Sequence, residues 1–387
     1  SPLEQLTPAV VQSNLHLFTP RKTYRASFVG GARTGAAGHP PRAGNPPSGA
    51  VIYYSLKAPR QLVTLDFLDG NGKVIRSFNS NQDSADAADS VAGALKLRTR
   101  HDSLVTAGVS ADSLRRLEST SEESAQPSQT PRRGPPRPPR VANKQGLNQF
   151  AWNLRYPDAV RFDGMILWAG DLEGPTVLPG TYTVRITTGG ESQTARFDVV
   201  RDPRVTATPA DLASQFDFLL KIRDTLSAAN NAVRLTRNVR TQIERRRDSL
   251  PAADRAAFEQ VAAPVVAQLS SVEEQIYQVN NRASEDPLNY PIRLNNKIAA
   301  LAGVVADAST RPTDQSFVVF RLLSGQLDTQ LQRLHGALGG LTSVNAYLTS
   351  HGGAAIVPST AELTHSKMEE DAEDGTSGMD AEGGSDW

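Results

Sequence analysis

The hydrophobic pattern changes period along this chain, and the change divides it. From Gly49 apolar and polar positions alternate through GAVIYYSLK (49–57) and LVTLDFLD (62–69). KVIRSF (73–78) follows the turn residues Asp69, Gly70, Asn71 and Gly72. Alternation of this kind places every second side chain on one face, so these segments predict β-strands joined by a hairpin. The same period returns at Phe150, Trp152, Leu154 and Tyr156. It continues at Tyr182, Val184 and Ile186, and at Phe197 and Val199. Thr188, Gly189, Gly190 and Glu191 read as a tight turn between the last two strands, and Pro179-Gly180 opens the strand that begins at Thr181.

At Thr208 the period becomes about 3.5, that of a helix seam. Thr208, Pro209 and Asp211 supply an N-cap hydroxyl, a proline at the first helical position and an acid in the first turn. Leu212, Phe216, Leu219, Ile222, Leu226, Ala229 and Val233 form one seam. Ala262, Val265, Leu269, Val272, Ile276 and Val279 form a second. Phe317, Phe320, Ser324, Leu327, Leu331, Leu334, Leu338 and Leu341 form a third. A shorter helix carries Leu294, Ile298, Leu301 and Val305, after a break at Asn289, Tyr290 and Pro291. Arg237, Arg240, Arg245, Arg246 and Arg247 read as a basic, solvated outer face.

These periods predict an α+β multidomain chain: an Ig/fibronectin-like antiparallel β-sandwich, then an antiparallel α-helical bundle, with long irregular arms. Residues 1–48 are an irregular N-terminal arm, with His16, Phe18 and Tyr24 in a short extended stretch and a Gly/Pro-rich loop at 30–49. Residues 49–205 are the sandwich, with a low-complexity insertion at about 79–145. The bundle spans 208–350, and 351–387 is an acidic flexible tail ending in Trp387. Within the insertion, the Pro/Arg/Ser tract at 124–140 carries Arg132, Arg133, Arg137 and Arg140, a solvated linker or a docking tract for an acidic or aromatic-lined partner.

Composition agrees with folded cores separated by irregular segments: 387 residues, 39% hydrophobic, with 25 Pro and 29 Gly. The formal net charge is zero but unevenly spread. Residues 1–80 hold nine Lys/Arg against three Asp/Glu, and 362–387 hold nine Asp/Glu against one Lys. That gives local fields without the basic footprint of a nucleic-acid binder. The absence of cysteine excludes disulfides, thiolate metal sites and cysteine nucleophiles. No apolar run approaches the ~20 residues that span a bilayer. The chain begins at Ser1 with neither Met nor signal peptide, the expectation for a mature or excised polypeptide.

Reactive patterns are scarce. There is no G-x-S-x-G, no H-E-x-x-H and no phosphate-binding glycine pattern. None of the six histidines, His16, His39, His101, His335, His351 and His365, pairs with another at helical spacing. Asp158, Asp163, Asp171 and Glu173 cluster near Trp152 and Trp168, a set compatible with a sugar site or a bound Ca²⁺. Beside Pro and Gly, however, such acids more commonly cap turns. The turn at Asp69–Gly72 lacks the downstream acid of a calcium loop. No catalytic residue, cofactor or metal is expected. Trp152, Trp168, Asp171 and Glu173, with the four arginines of the insertion, are the candidate ligand or partner contacts, although strand alternation predicts burial for Trp152.

A set of ordered motifs carries a resemblance. They are N-P-P-x-G-A-V-I-Y-Y (45–54), N-x-F-x-W-x-L-R-Y-P (148–157) and G-M-I-L-W-A-G (164–170). P-G-T-Y-T-V-R (179–185), D-P-R (202–204) and D-P-L-N-Y-P-I-R-L-N-N-K (286–297) follow. Over roughly residues 1–350 this resembles the C-terminal region of bacterial exported proteins with a sortilin-like β-propeller. Those propellers carry Asp-box repeats of the neuraminidase type and are often labelled glycosyl hydrolases. The chain contains no S-x-D-x-G-x-T-W repeat, so no catalytic residue carries over. The resemblance implies a periplasmic or extracellular protein. Three functions follow: a non-catalytic interaction module of the cell envelope, a carbohydrate-binding or hydrolase accessory domain, and a periplasmic accessory subunit of a membrane complex. Expected partners are other proteins, with carbohydrate as the alternative and nucleic acid excluded.

Overall fold

The computed structural model describes residues 2–26, 49–80 and 139–360. The Gly/Pro-rich loop up to residue 48, most of the insertion with Arg132, Arg133 and Arg137, and the acidic tail from residue 361 with Trp387 lie outside the described residues. The chain forms two compact units. One contains the strands; the other contains residues 155–178 and the described residues from Pro203 onward.

The strand unit opens with a 3-10 turn (Pro2–Gln5) and a short helix, α1 (Pro8–Gln12), capped by the Thr7 hydroxyl, which accepts from the Val10 N–H. Eight strands follow among the described residues: β1 (Leu15–Leu17), β2 (Thr23–Arg25), β3 (Ala50–Leu56), β4 (Val63–Leu68), β5 (Val74–Asn79), β6 (Gly146–Trp152), β7 (Gly180–Thr188) and β8 (Glu191–Arg201). They form a three-stranded sheet, β1-β3-β6, and a five-stranded sheet, β2-β8-β7-β4-β5. Neighbours pair antiparallel except β2 with β8, a departure from the all-antiparallel expectation. Pro20 lacks the N–H needed to continue the β1–β3 ladder, and after it the chain joins the edge of the other sheet.

The predicted turns are present. Thr188 pairs with Glu191 across Gly189 and Gly190, whose φ values of +54° and +84° suit a tight two-residue hairpin of the primed type. In the β4–β5 turn the Asp69 Oδ1 accepts from the Asn71 and Lys73 N–H groups, so its carboxylate serves the backbone.

The inner faces of the two sheets meet through aromatic rings. Trp152 on β6 stacks on Phe67 of β4 at 4.4 Å, and Phe150 meets Phe78 of β5 at 4.8 Å. Trp152 and Phe67 have no solvent exposure. On the outward row Asp66 accepts from the Arg185 Nε and Nη2 at 3.0 and 2.7 Å, which pairs the charge that burial would otherwise strand.

The second unit is helical: α2 (Pro209–Ser249), α3 (Ala252–Ile276), α4 (Leu294–Ala306), α5 (Asp314–Gly339) and α6 (Leu341–Ser350). At 41 residues α2 is about 60 Å long. It begins as the sequence predicts, with a reciprocal capping box between Thr208 and Asp211. All four seams contribute buried residues to one core. Two details differ from the expected helices. Val279 lies beyond the end of α3, and Leu341 begins a separate helix. The second break falls at Gly340, which touches α3: a Cβ there would come within 2.8 Å of the Val265 side chain. The chain also stays attached past 351. Ile356 is buried in the core, and Asn345 and Gln242 bond both backbone groups of Ile356 and Val357 respectively. Among the described residues no helix is long and apolar enough to cross a membrane.

Candidate partner-docking site

Residues 155–178 lie between β6 and β7 in sequence but pack with the helices, not within the sheet region of 49–205 where the alternation placed them. This strap has a closed neck: Arg155 bridges Thr176, and Tyr156 N–H donates to the Pro175 carbonyl at 3.0 Å. Gly174 fits there because it has no side chain; a Cβ would lie 2.2 Å from the Tyr156 carbonyl oxygen.

The clustered acids serve this neck. Asp158 accepts from the Gly174 N–H and Asp171 from the Glu173 N–H. Glu173 pairs with Arg155 at 2.7 Å. Asp163 presents its carbonyl to Arg237. Among the described residues no group of three His, Asp or Glu is arranged to hold a metal ion.

Beyond the neck the strap crosses α2, the end of α3 and α4. Ala159, Phe162 and Met165 are buried in the helical core. The Val160 N–H donates to Ser227 Oγ at 3.1 Å, and Asn230 Nδ2 donates to the Val160 carbonyl at 2.7 Å. The Tyr277 hydroxyl donates to the Gly164 carbonyl at 3.1 Å and accepts from the Ile166 N–H at 3.2 Å. Burial raises the Tyr277 phenol above its ordinary pKa, so it stays a neutral donor.

The basic outer face is only partly solvated, which corrects the sequence reading. Glu273 on α3, 3% exposed, accepts from the Arg237 Nε at 2.7 Å and the Arg240 Nη1 at 2.8 Å. The fixed Arg237 then lies over the Phe162 ring at 4.8 Å and donates to the Asp163 carbonyl. Arg247 pairs with Asp248 and Glu259. A groove of about 460 Å³ runs beside this network, lined by Arg237, Arg240, Arg282, Glu244, Glu273 and Glu274. Three cations face three acids, so it favours neither sign of ligand.

The candidate contacts separate clearly. Trp152 is enclosed between the sheets and offers no surface to a sugar or a partner, because it occupies an inward position of β6. Asp171 and Glu173 are turn and neck residues. Arg140 is exposed in the segment that leads into β6. Trp168 remains, 38% exposed. Its N–H donates to Asn296 Oδ1 at 2.7 Å and its carbonyl accepts from Asn296 Nδ2 at 2.6 Å. Ala169 follows in a left-handed conformation, φ +50°, unusual for a residue with a Cβ. Gly170 then seats against α4, where a Cβ would come within 2.8 Å of the Ala299 Cβ. A buried amide, a strained residue and a close backbone approach together fix the backbone that carries one half-exposed indole.

A second exposed feature is apolar. Val318, Val319 and Leu322 on α5 are 55%, 42% and 60% exposed. These residues, with Asn230, Tyr277 and Glu273, carry no signal in the sequence pattern, and only the L-N-N-K run of the last motif marks Asn296. No family model, curated protein or solved structure matches the chain.

Proposed function

We propose that this chain is a non-catalytic protein-interaction and structural module of an exported cell-envelope protein. In this reading the strand unit is an Ig-like sandwich and the helical unit an antiparallel bundle. Together they serve as the C-terminal region of a sortilin-like propeller protein or of a larger periplasmic or extracellular assembly. The observation that carries the reading is Trp168. Aromatic side chains dominate interface energetics when they are preorganised, because little conformational entropy is lost on binding. Trp168 has its backbone fixed on both sides and its ring half exposed. The Val318, Val319 and Leu322 row gives a second apolar contact on the same unit. Asp158, Asp171 and Glu173 serve backbone and arginine groups at the neck, which favours this reading over a sugar site.

A photo-crosslinking residue at position 168 or 322, in the protein within its own envelope, should give a discrete cross-linked species. The same residue at the exposed hairpin position Lys73 should not. Trp168→Ala should weaken the captured interaction by about 2 kcal/mol, roughly 30-fold. Cross-links absent from both positions would sink the proposal.

A further inference from the structure

We infer that the helical unit carries a peptide-binding groove, which in this chain is filled by its own residues 157–168. The inference rests on the interaction-module reading and gives that module a binding site. The strap crosses the helices without forming helix or strand there, yet eight of its backbone groups bond to helical-unit side chains. Besides the contacts at Val160, Asp163, Gly164, Ile166 and Trp168, Arg223 Nη1 reaches the Pro157 carbonyl at 3.3 Å. Side chains that bond the peptide backbone in both directions accept any sequence. Selection then falls to the side-chain positions, and three are buried: Ala159, Phe162 and Met165, each three residues from the next.

The groove is polar where it meets the backbone. Asn230 is 0% and Asn296 3% exposed, and both direct amide donors at strap carbonyls. Buried donors of this kind are costly without an acceptor, so the groove requires an occupant with peptide geometry. Pairing at the neck brings the strap's ends together, so it withdraws as a loop without unthreading. The ligand class is therefore an extended peptide with a small residue, an aromatic and a flexible apolar residue at three-residue steps. Such a peptide competes with the strap, which makes the strap an occluding segment.

The test uses the full chain and a fluorescent peptide of residues 156–170. In a vacated chain, Phe162→Ala with Met165→Ala, the peptide should bind saturably. Binding should be at least about ten-fold tighter than to the wild type, where the strap occupies the competent state. Adding Asn230→Ala and Asn296→Ala should remove that gain. A vacated chain that keeps wild-type helical circular dichroism but binds no peptide overturns the inference. A second measurement does not depend on the vacated chain folding. In the wild type, saturating unlabelled peptide should speed hydrogen exchange at the Val160, Ile166 and Trp168 amides. Unchanged exchange overturns the groove while leaving the Trp168 cross-linking result to stand or fall alone.

Discussion

One residue-level device recurs in both units. A side-chain amide bonds the N–H and the carbonyl of an irregular segment, taking the place of a neighbouring strand. Gln5 does this to Thr19, Asn148 to Lys144, Gln242 to Val357 and Asn296 to Trp168, and Gln193 does the same along the free edge of β1 at Leu15 and Leu17. Only Asn and Gln carry a donor and an acceptor at the right separation for this. Tyr277 performs a related task with one oxygen, and its chemistry allows a pH test. Burial favours the neutral phenol and raises its pKa. Below the ordinary value of about 10 both folded and unfolded states are neutral and the contribution is complete. Above it the unfolded phenol ionises first, so stability falls as pH rises toward the raised folded value. The urea midpoint of the helical unit should therefore drop between about pH 9 and about pH 11. Tyr277→Phe, which has no proton to lose, should flatten that slope. An unchanged slope would remove the phenol from this role.

Elements with a period were legible in the sequence. β3 and β6 follow alternation residue by residue, and α2 starts at the residue its cap predicts. Thr208→Ala should destabilise α2 by about 1 kcal/mol, measured by urea unfolding followed at a helical wavelength. The strap was not legible, because alternation runs only as far as Tyr156 and the partners of the residues beyond it are distant in sequence. Trp168 meets Asn296 across 128 positions, and Arg237 meets Glu273 across 36. Nothing local to Arg237 distinguishes a solvated guanidinium from one bound to a buried carboxylate. The acids near Trp168 were read as turn residues on their Pro and Gly context; Asp171 has that form, whereas Asp158 bonds across the neck and Glu173 pairs with Arg155. Trp168 stood out by residue type alone; its fixation depends on contacts that periodicity does not encode.

At the scale of the molecule, each unit has its own core, so damage to one should leave the other's transition identifiable. Trp152→Ala removes the largest fully buried side chain between the sheets. It should cost the strand unit about 3–5 kcal/mol. Far-ultraviolet circular dichroism should show the helical transition near its wild-type midpoint, with an earlier loss of near-ultraviolet aromatic signal. A single transition shifted as a whole would show that the units unfold together.

The units are not consecutive in the chain, and this bears on the order in which it can fold. Ribosomes deliver residues from the N-terminus, so the strap emerges before any helix that receives it. Phe162 and Met165 belong to a core whose other members extend to Ile356. Until those residues appear, the nascent chain holds two apolar side chains with no place in the strand unit. The strand unit can close once β8 is made, whereas the helical unit must wait for nearly the whole described chain. Synthesis thus leaves a defined interval in which the strap is open to any other binder, whether a chaperone or the groove of a neighbouring copy.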